Sequence, residues 1–199
     1  MLFSKSQICR AIESGDISIQ PFEPRLLRSG SYCLRLSNAW ARWLELEAPV
    51  KLWSPDATER HLCPPEQGQV LTLSRGDFLL SSSLERISLS PKIGALLAPL
   101  SHVARFGLGL TSGSFLVSPG FGSGVATALT FELSSMNPSP LELTPGMPIC
   151  HLCFFEISGA GLARSVSVYE GEPAPCRPMF FESMADILGS LPSSAQQEK

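Results

Sequence analysis

The chain has 199 residues, 44% of them hydrophobic and only 17% charged, a composition that packs one core and excludes an intrinsically disordered chain. Its formal net charge is −3 and its Lys and Arg residues are scattered, so there is no basic surface to hold a nucleic-acid polymer. No stretch reaches the roughly 18 consecutive apolar residues of a membrane span, no signal-like run opens the chain, and six cysteines in that setting suit free thiols in a reducing cytoplasm.

In chain order, Ser4-Lys5-Ser6-Gln7 has the spacing of a capping box, and Ile8, Ala11 and Ile12 then share one helical face before Gly15. A short N-terminal helix follows from this. Ile17 and Ile19, then Tyr32, Leu34 and Leu36, alternate with period two and predict strands. Two apolar stretches, 70–73 and 78–80, flank the turn formers Ser74-Arg75-Gly76-Asp77, which reads as a hairpin. Ser101 stands where it would cap a helix of one or two turns ended by Gly107. Further strands are predicted around residues 113–117, 126–133, 141–143 and 149–157, each bounded by Gly, Pro or Asn. Met184, Ile187 and Leu188 have helical spacing ahead of Gly189, and the residues from Pro192 read as a frayed tail. Many short strands with close turns, no internal repeat and no long linker describe a single domain over 1–199, a barrel or sandwich, with 176–199 as its C-terminal segment.

Taken by residue type alone, few side chains declare a chemistry. Cys150-His151-Leu152-Cys153 has a C-x-x-C spacing and His61-Leu62-Cys63 offers a second fragment. The zinc deaminase pattern requires H-x-E and P-C-x-x-C, whereas Leu62-Cys63 follows His61 and Ile149 precedes Cys150, so no protein-bound zinc is expected. Gly120-Phe121-Gly122-Ser123-Gly124 lacks the βαβ surroundings of a phosphate loop and reads as a hairpin turn. Glu132 on a strand is ordinarily a solvated side chain, Arg105 a cation closing a helix, Ser101 an N-cap and His102 a structural or exposed histidine.

Four segments in order change that reading. They are Gly15-Asp16-Ile17-Ser18-Ile19-Gln20-Pro21-Phe22 with Ser31-Tyr32-Cys33-Leu34-Arg35-Leu36; Gly76-Asp77-Phe78-Leu79-Leu80 with Leu84-Glu85 and Ser101-His102-Val103-Ala104-Arg105-Phe106-Gly107-Leu108; Ser118-Pro119-Gly120-Phe121 with Leu129-Thr130-Phe131-Glu132-Leu133; and Leu143-Thr144-Pro145-Gly146-Met147 with the strand after it. Together they resemble the dCTP deaminase family of the dUTPase superfamily. The resemblance implies a mainly β fold, a distorted β-barrel of the dUTPase-like β-clip type with a short N-terminal and a short central helix. It implies hydrolytic deamination of a pyrimidine deoxynucleotide, dCTP to dUTP, in a homotrimer with pockets between subunits, with Mg²⁺ bound only through substrate phosphates. Glu132 would shuttle the proton, Arg105 and Ser101 would place water and substrate, and His102, Phe121, Val117, Tyr169 and Glu172 would contact the nucleotide. The match requires about four extra residues between Phe121 and Glu132, placed at 122–125 where glycines tolerate them. An insertion elsewhere would put Thr130 at the acidic position.

Cys33 replaces an acidic residue of the family pattern, Ser118 replaces the aspartate by which the dUTPase branch directs water, and Leu100, Leu116 and Val168 stand at cationic positions. Each lost charge-assisted contact costs about 1.5 to 3 kcal/mol. The alternative expectation is therefore a degenerate, trimeric nucleotide-binding relative, or a substrate with fewer phosphates.

Overall fold

The computed structural model describes residues 1–45, 47, 49–50, 61–110, 115–159 and 169–179. The first helix, α1 (Lys5–Glu13), begins at the capping box: Ser4 Oγ accepts the Gln7 N–H and Gln7 Oε1 accepts the Ser4 N–H at 2.9 Å. Ile8 and Ala11 are its buried face, and Gly15 leaves it at φ +79°. Strands β1 (Ile17–Gln20), β2 (Tyr32–Arg42), β3 (Glu66–Gln67), β4 (Leu71–Leu73), β5 (Phe78–Leu89) and β6 (Ile93–Pro99) follow. After them come α2 (Ser101–Ala104), β7 (Leu108–Leu110), β8 (Leu116–Val117), β9 (Thr127–Ser135), β10 (Leu141–Leu143) and β11 (Pro148–Glu156).

Among the described residues nine strands form one antiparallel sheet in the order β7-β9-β5-β2-β11-β6-β8, with β1 beside β5 and β3 beside β2; β4 and β10 make a separate two-stranded ribbon. The sheet curls into a half-barrel, the mainly β architecture with a short N-terminal and a short central helix that the sequence implied. Its curvature has a local cause. The β2–β5 ladder slips register between Leu36 and Trp40, and the β5–β9 ladder slips between Ser82 and Arg86, so β5 bends at one place against both neighbours.

Bends leave buried backbone groups without ladder partners, and here serines and one carboxylate replace them. Ser81 Oγ donates to the Ala39 carbonyl at 2.9 Å, and Ser82 Oγ meets Ser37 Oγ at 2.8 Å. Ser83 Oγ accepts the Leu129 N–H at 2.8 Å and donates to the Glu85 carbonyl at 2.6 Å. Glu85, fully buried, accepts the Arg35 N–H at 2.9 Å and the Arg35 Nε–H at 2.6 Å. Arg35 and Glu85 belong to two of the sequence segments singled out above, and the fold closes them into one ion pair.

Two local expectations are corrected. The turn at Ser74 to Asp77 forms, with the Asp77 N–H on the Ser74 carbonyl at 3.1 Å, but its flanking strands do not pair as a hairpin. β4 pairs with β10 while β5 pairs with β9, β2 and β1, because β5 runs on for 12 residues as a central strand of the sheet. Ser101 is the first helical residue and not the cap: Leu100, buried against the core, occupies the cap position and supplies no side-chain hydrogen bond. Gly107 at φ +76° ends that segment as expected. The helix expected near Met184 and the tail lie outside the described residues, as do residues 113–114 of the strand expected over 113–117, of which β8 is the described part. No helix among the described residues is long and apolar enough to cross a membrane.

Candidate active site

β9 alternates cleanly: Leu129, Phe131 and Leu133 are buried in the core, while Ala128, Thr130 and Glu132 lie half-buried on the other face. On that second face is a cavity of about 280 Å³, lined in part by Glu132, Thr130, Phe121, Tyr169, Glu172 and Arg177. Glu132 pairs in register with Leu80 of β5, which lines the same cavity, so an apolar side chain stands beside the carboxyl. Glu132 Oε2 is buried and has no hydrogen-bond partner among the described residues. Burial pushes the Glu132 carboxyl above its ordinary range, an effect its own backbone N–H only partly offsets. A carboxyl of this kind takes and returns protons closer to neutral pH than a solvated one does.

The roof of the cavity comes from the chain's far end. Residues 169–179 are tied across β9 and the glycine turn by backbone N–H donors and side-chain oxygen acceptors. Thr130 Oγ1 accepts the Cys176 N–H at 3.0 Å and Thr127 Oγ1 accepts the Gly171 N–H at 3.0 Å. Glu170 Oε1 accepts the N–H of Gly124 and, at 3.0 Å, that of Val125. Tyr169 Oη accepts the Met179 N–H at 3.1 Å, which folds the segment on itself. Residues 122–125, where the family match places its extra residues, lie in the turn before β9, and the amides of Gly124 and Val125 hold the roof.

Two tests follow. Gly122 has φ +65°, and a Cβ there would run into the Ile87 carbonyl oxygen of β5. Gly122→Ala is expected to cost about 2 kcal/mol, or roughly 4–8 °C of Tm in a thermal melt. An unchanged Tm would mean the turn can relax without loss. Thr130→Val removes the acceptor for Cys176 N–H, and at about 1 kcal/mol for one hydrogen bond it should speed amide exchange across residues 171–176 about 5-fold. Unaltered exchange would show that this bond does not hold the segment.

Of the residues singled out from sequence, Glu132, Phe121, Tyr169 and Glu172 meet in this one cavity. Thr130, the fallback at the acidic position, lines it too, since residues two apart share a strand face; of the pair only Glu132 carries an ionisable group. Phe121 also packs against the core, so its structural and site roles coincide. Ser101, His102 and Arg105 are exposed on and just after α2 and do not line the cavity; Val117 is buried in β8, opposite Ala95. Sequence reasoning missed Arg177 and Cys176, for which no local pattern exists because their place depends on how the roof docks.

Cys33, at the departed acidic position, meets a histidine: its Sγ is 3.7 Å from His151 Nδ1, which also contacts Ser31 Oγ at 2.9 Å. Burial first, then the positive charges of Arg28 and His102, hold the His151 imidazole below its ordinary pKa. Cys150 faces the core and burial pushes its thiol up, while Cys153, three residues on, takes the opposite face of β11. That strand geometry keeps the C-x-x-C pair from converging on one ion.

A family model described as dCTP deaminase-like matches residues 2–157. A curated relative, the dCTP deaminase, dUMP-forming, of Tropheryma whipplei strain Twist, is 32% identical over 181 residues, covering 88% of this chain and 90% of its own. The protein of the same description from Streptomyces griseus is 30% identical over 193 residues, covering 92% and 97%. In fold, the chain is similar to the crystal structure of 2'-deoxycytidine 5'-triphosphate deaminase from Agrobacterium tumefaciens, with a TM-score of 0.58 at 16% identity over 77% of this chain and 46% of that longer one. A match that runs from the first helix through the last strand of the sheet makes this chain a member of the dCTP deaminase-like family.

Proposed function

We propose that this chain hydrolytically deaminates a cytosine deoxynucleotide, with dCTP as the first candidate. The observation that carries the reading is the buried carboxyl oxygen of Glu132, without a hydrogen-bond partner among the described residues, in a cavity of a dCTP deaminase-like chain. In the reaction the carboxylate takes a proton from water, the oxygen attacks C4, and the proton passes to N3. A second transfer to the amino group releases ammonia and leaves the 4-oxo base, so one water is consumed per ammonia formed. The names of the curated relatives support the substrate class.

Those names also carry the words dUMP-forming, which favours dUMP and pyrophosphate as the further products. Ser118, standing where the dUTPase branch has its water-directing aspartate, favours a reaction that stops at dUTP. Product analysis separates the two: one pyrophosphate per ammonia for dUMP, almost none for dUTP. Absence of ammonia from dCTP together with specific binding would leave the degenerate binding relative, and absence of both would sink the reading.

Ser101 and Arg105 take their places in this mechanism only if a second copy presents its α2 to the cavity, and by resemblance to the family the assembly is read as a homotrimer. Exposed apolar side chains near α2 and β8 support that reading: Phe106 is 65% exposed, Leu116 61% and Phe115 52%. Light scattering should give the mass of three chains, and a monomer would count against shared pockets. Among the described residues no group of three or more His, Cys, Asp or Glu side chains is placed to hold a metal ion. No step above runs through one, and Mg²⁺ is read as arriving on the substrate's phosphates.

A further inference from the structure

We infer that Arg177 is the residue by which this chain recognises the phosphates of its substrate; the inference rests on the deoxynucleotide reading above. A polyphosphate needs cations or convergent N–H donors, and a guanidinium meets phosphate oxygens in paired hydrogen bonds. Two of the three positions where the family pattern places cations are apolar here and face elsewhere. Leu100 is packed in the core at 5% exposure, and Leu116 stands on the surface of β8. Neither lines the cavity.

Among the described residues that line the cavity, Arg177 is the cation, set against the two carboxyl groups of Glu132 and Glu172. Its backbone is tied on both sides. One residue before it, the Cys176 N–H is fixed on Thr130 Oγ1 at 3.0 Å; two residues after it, the Met179 N–H is fixed on Tyr169 Oη at 3.1 Å. Pro178, which follows it and also lines the cavity, removes a further backbone freedom. A cation delivered by a tethered segment loses less conformational freedom on binding than one on a loose tail. Glu132 and Arg177 therefore mark two regions of one cavity, the carboxyl for the base and the guanidinium for the phosphates.

The test uses the full chain with dCTP, dCMP and deoxycytidine, by calorimetry and by ammonia release, on wild type, Arg177→Met and Arg177→Lys, with thermal melts as a fold check. Arg177→Met should weaken dCTP binding about 10- to 100-fold and leave deoxycytidine within about 2-fold, with Arg177→Lys between wild type and Met. Unchanged dCTP affinity in Arg177→Met would overturn the inference. So would an equal loss for deoxycytidine, since Arg177 would then be shaping the roof and not meeting phosphate. Wild type that binds dCTP but releases no ammonia would defeat the deaminase reading while the binding contrast still judges Arg177. Wild type that binds none of the three ligands would overturn both.

Discussion

Glu132→Gln is expected to lower ammonia release from dCTP about 10²- to 10⁴-fold, the usual loss when a positioned proton carrier is removed. The same substitution should stabilise the fold at neutral pH, and the two effects together separate a functional carboxyl from a structural one. Burial raises the folded-state pKa of Glu132 above the ordinary 4.5. Below that ordinary value both folded and unfolded chains carry the proton, and the group has no influence on stability. As pH rises above 4.5 the unfolded chain ionises first, so wild-type stability falls until the folded carboxyl ionises as well, and is flat beyond that point. Gln cannot ionise and its amide fits the same space. Its Tm should therefore exceed that of wild type at pH 8 by about 2 °C, toward the small end of what a half-buried unsatisfied group implies, and the gap should close near pH 4. In the wild type, the acid limb of kcat/KM should lie above the ordinary carboxylate range. A limb at that ordinary value, or a Glu132→Gln variant that is both inactive and less stable at pH 8, would remove Glu132 from the chemistry.

Features decided by near neighbours were legible from sequence. The Ser4 to Gln7 capping box and the Gly15 and Gly107 stops need only a few residues of context, and the structure carries all three. The alternation in β9 fixed Thr130 and Glu132 on one face, so either placement of the insertion puts the acidic position on the cavity-facing side of the strand. Partner choice was not legible, because β4 and β5 are joined by a well-formed turn yet each gains more by pairing with a distant strand. The run Ser81-Ser82-Ser83 looks like a polar interruption in sequence; its meaning, backbone satisfaction at a double bend, exists only once β2 and β9 are in place. In the site, Tyr169 and Glu172 came from their place in the C-terminal segment that the family resemblance implies, whereas Arg177 came from no such signal. Its position is set by hydrogen bonds to Thr130 and Tyr169 that span the cavity, and no short window of residues contains them.

Glu85→Ala should destabilise the fold by about 3–5 kcal/mol, or roughly 6–20 °C of Tm, the largest stability loss expected of any substitution considered. The carboxylate is inaccessible to solvent, and its removal leaves two donors stranded at once: the guanidinium of Arg35, whose side chain is 22% exposed, and the Arg35 backbone N–H that the bend denies a ladder partner. Glu85→Gln keeps the shape and can still accept one of these bonds, so it should fall between wild type and Ala. The double variant Arg35→Met, Glu85→Leu should recover part of the loss, since no charge is then left buried alone. Recovery should stay incomplete, because the Arg35 N–H remains unpaired. A single Ala variant within about 1 kcal/mol of wild type would show the pair to be dispensable. The position of the pair on β5 also decides how function should respond. The same strand carries Leu80, in register with Glu132, only a few residues before the bend that Glu85 completes. A relaxed bend would shift Leu80 against Glu132 and admit water to the carboxyl, returning its pKa toward that of a solvated acid. The acid limb of kcat/KM in Glu85→Gln should accordingly move down in pH, measured at a temperature where the variant is still folded.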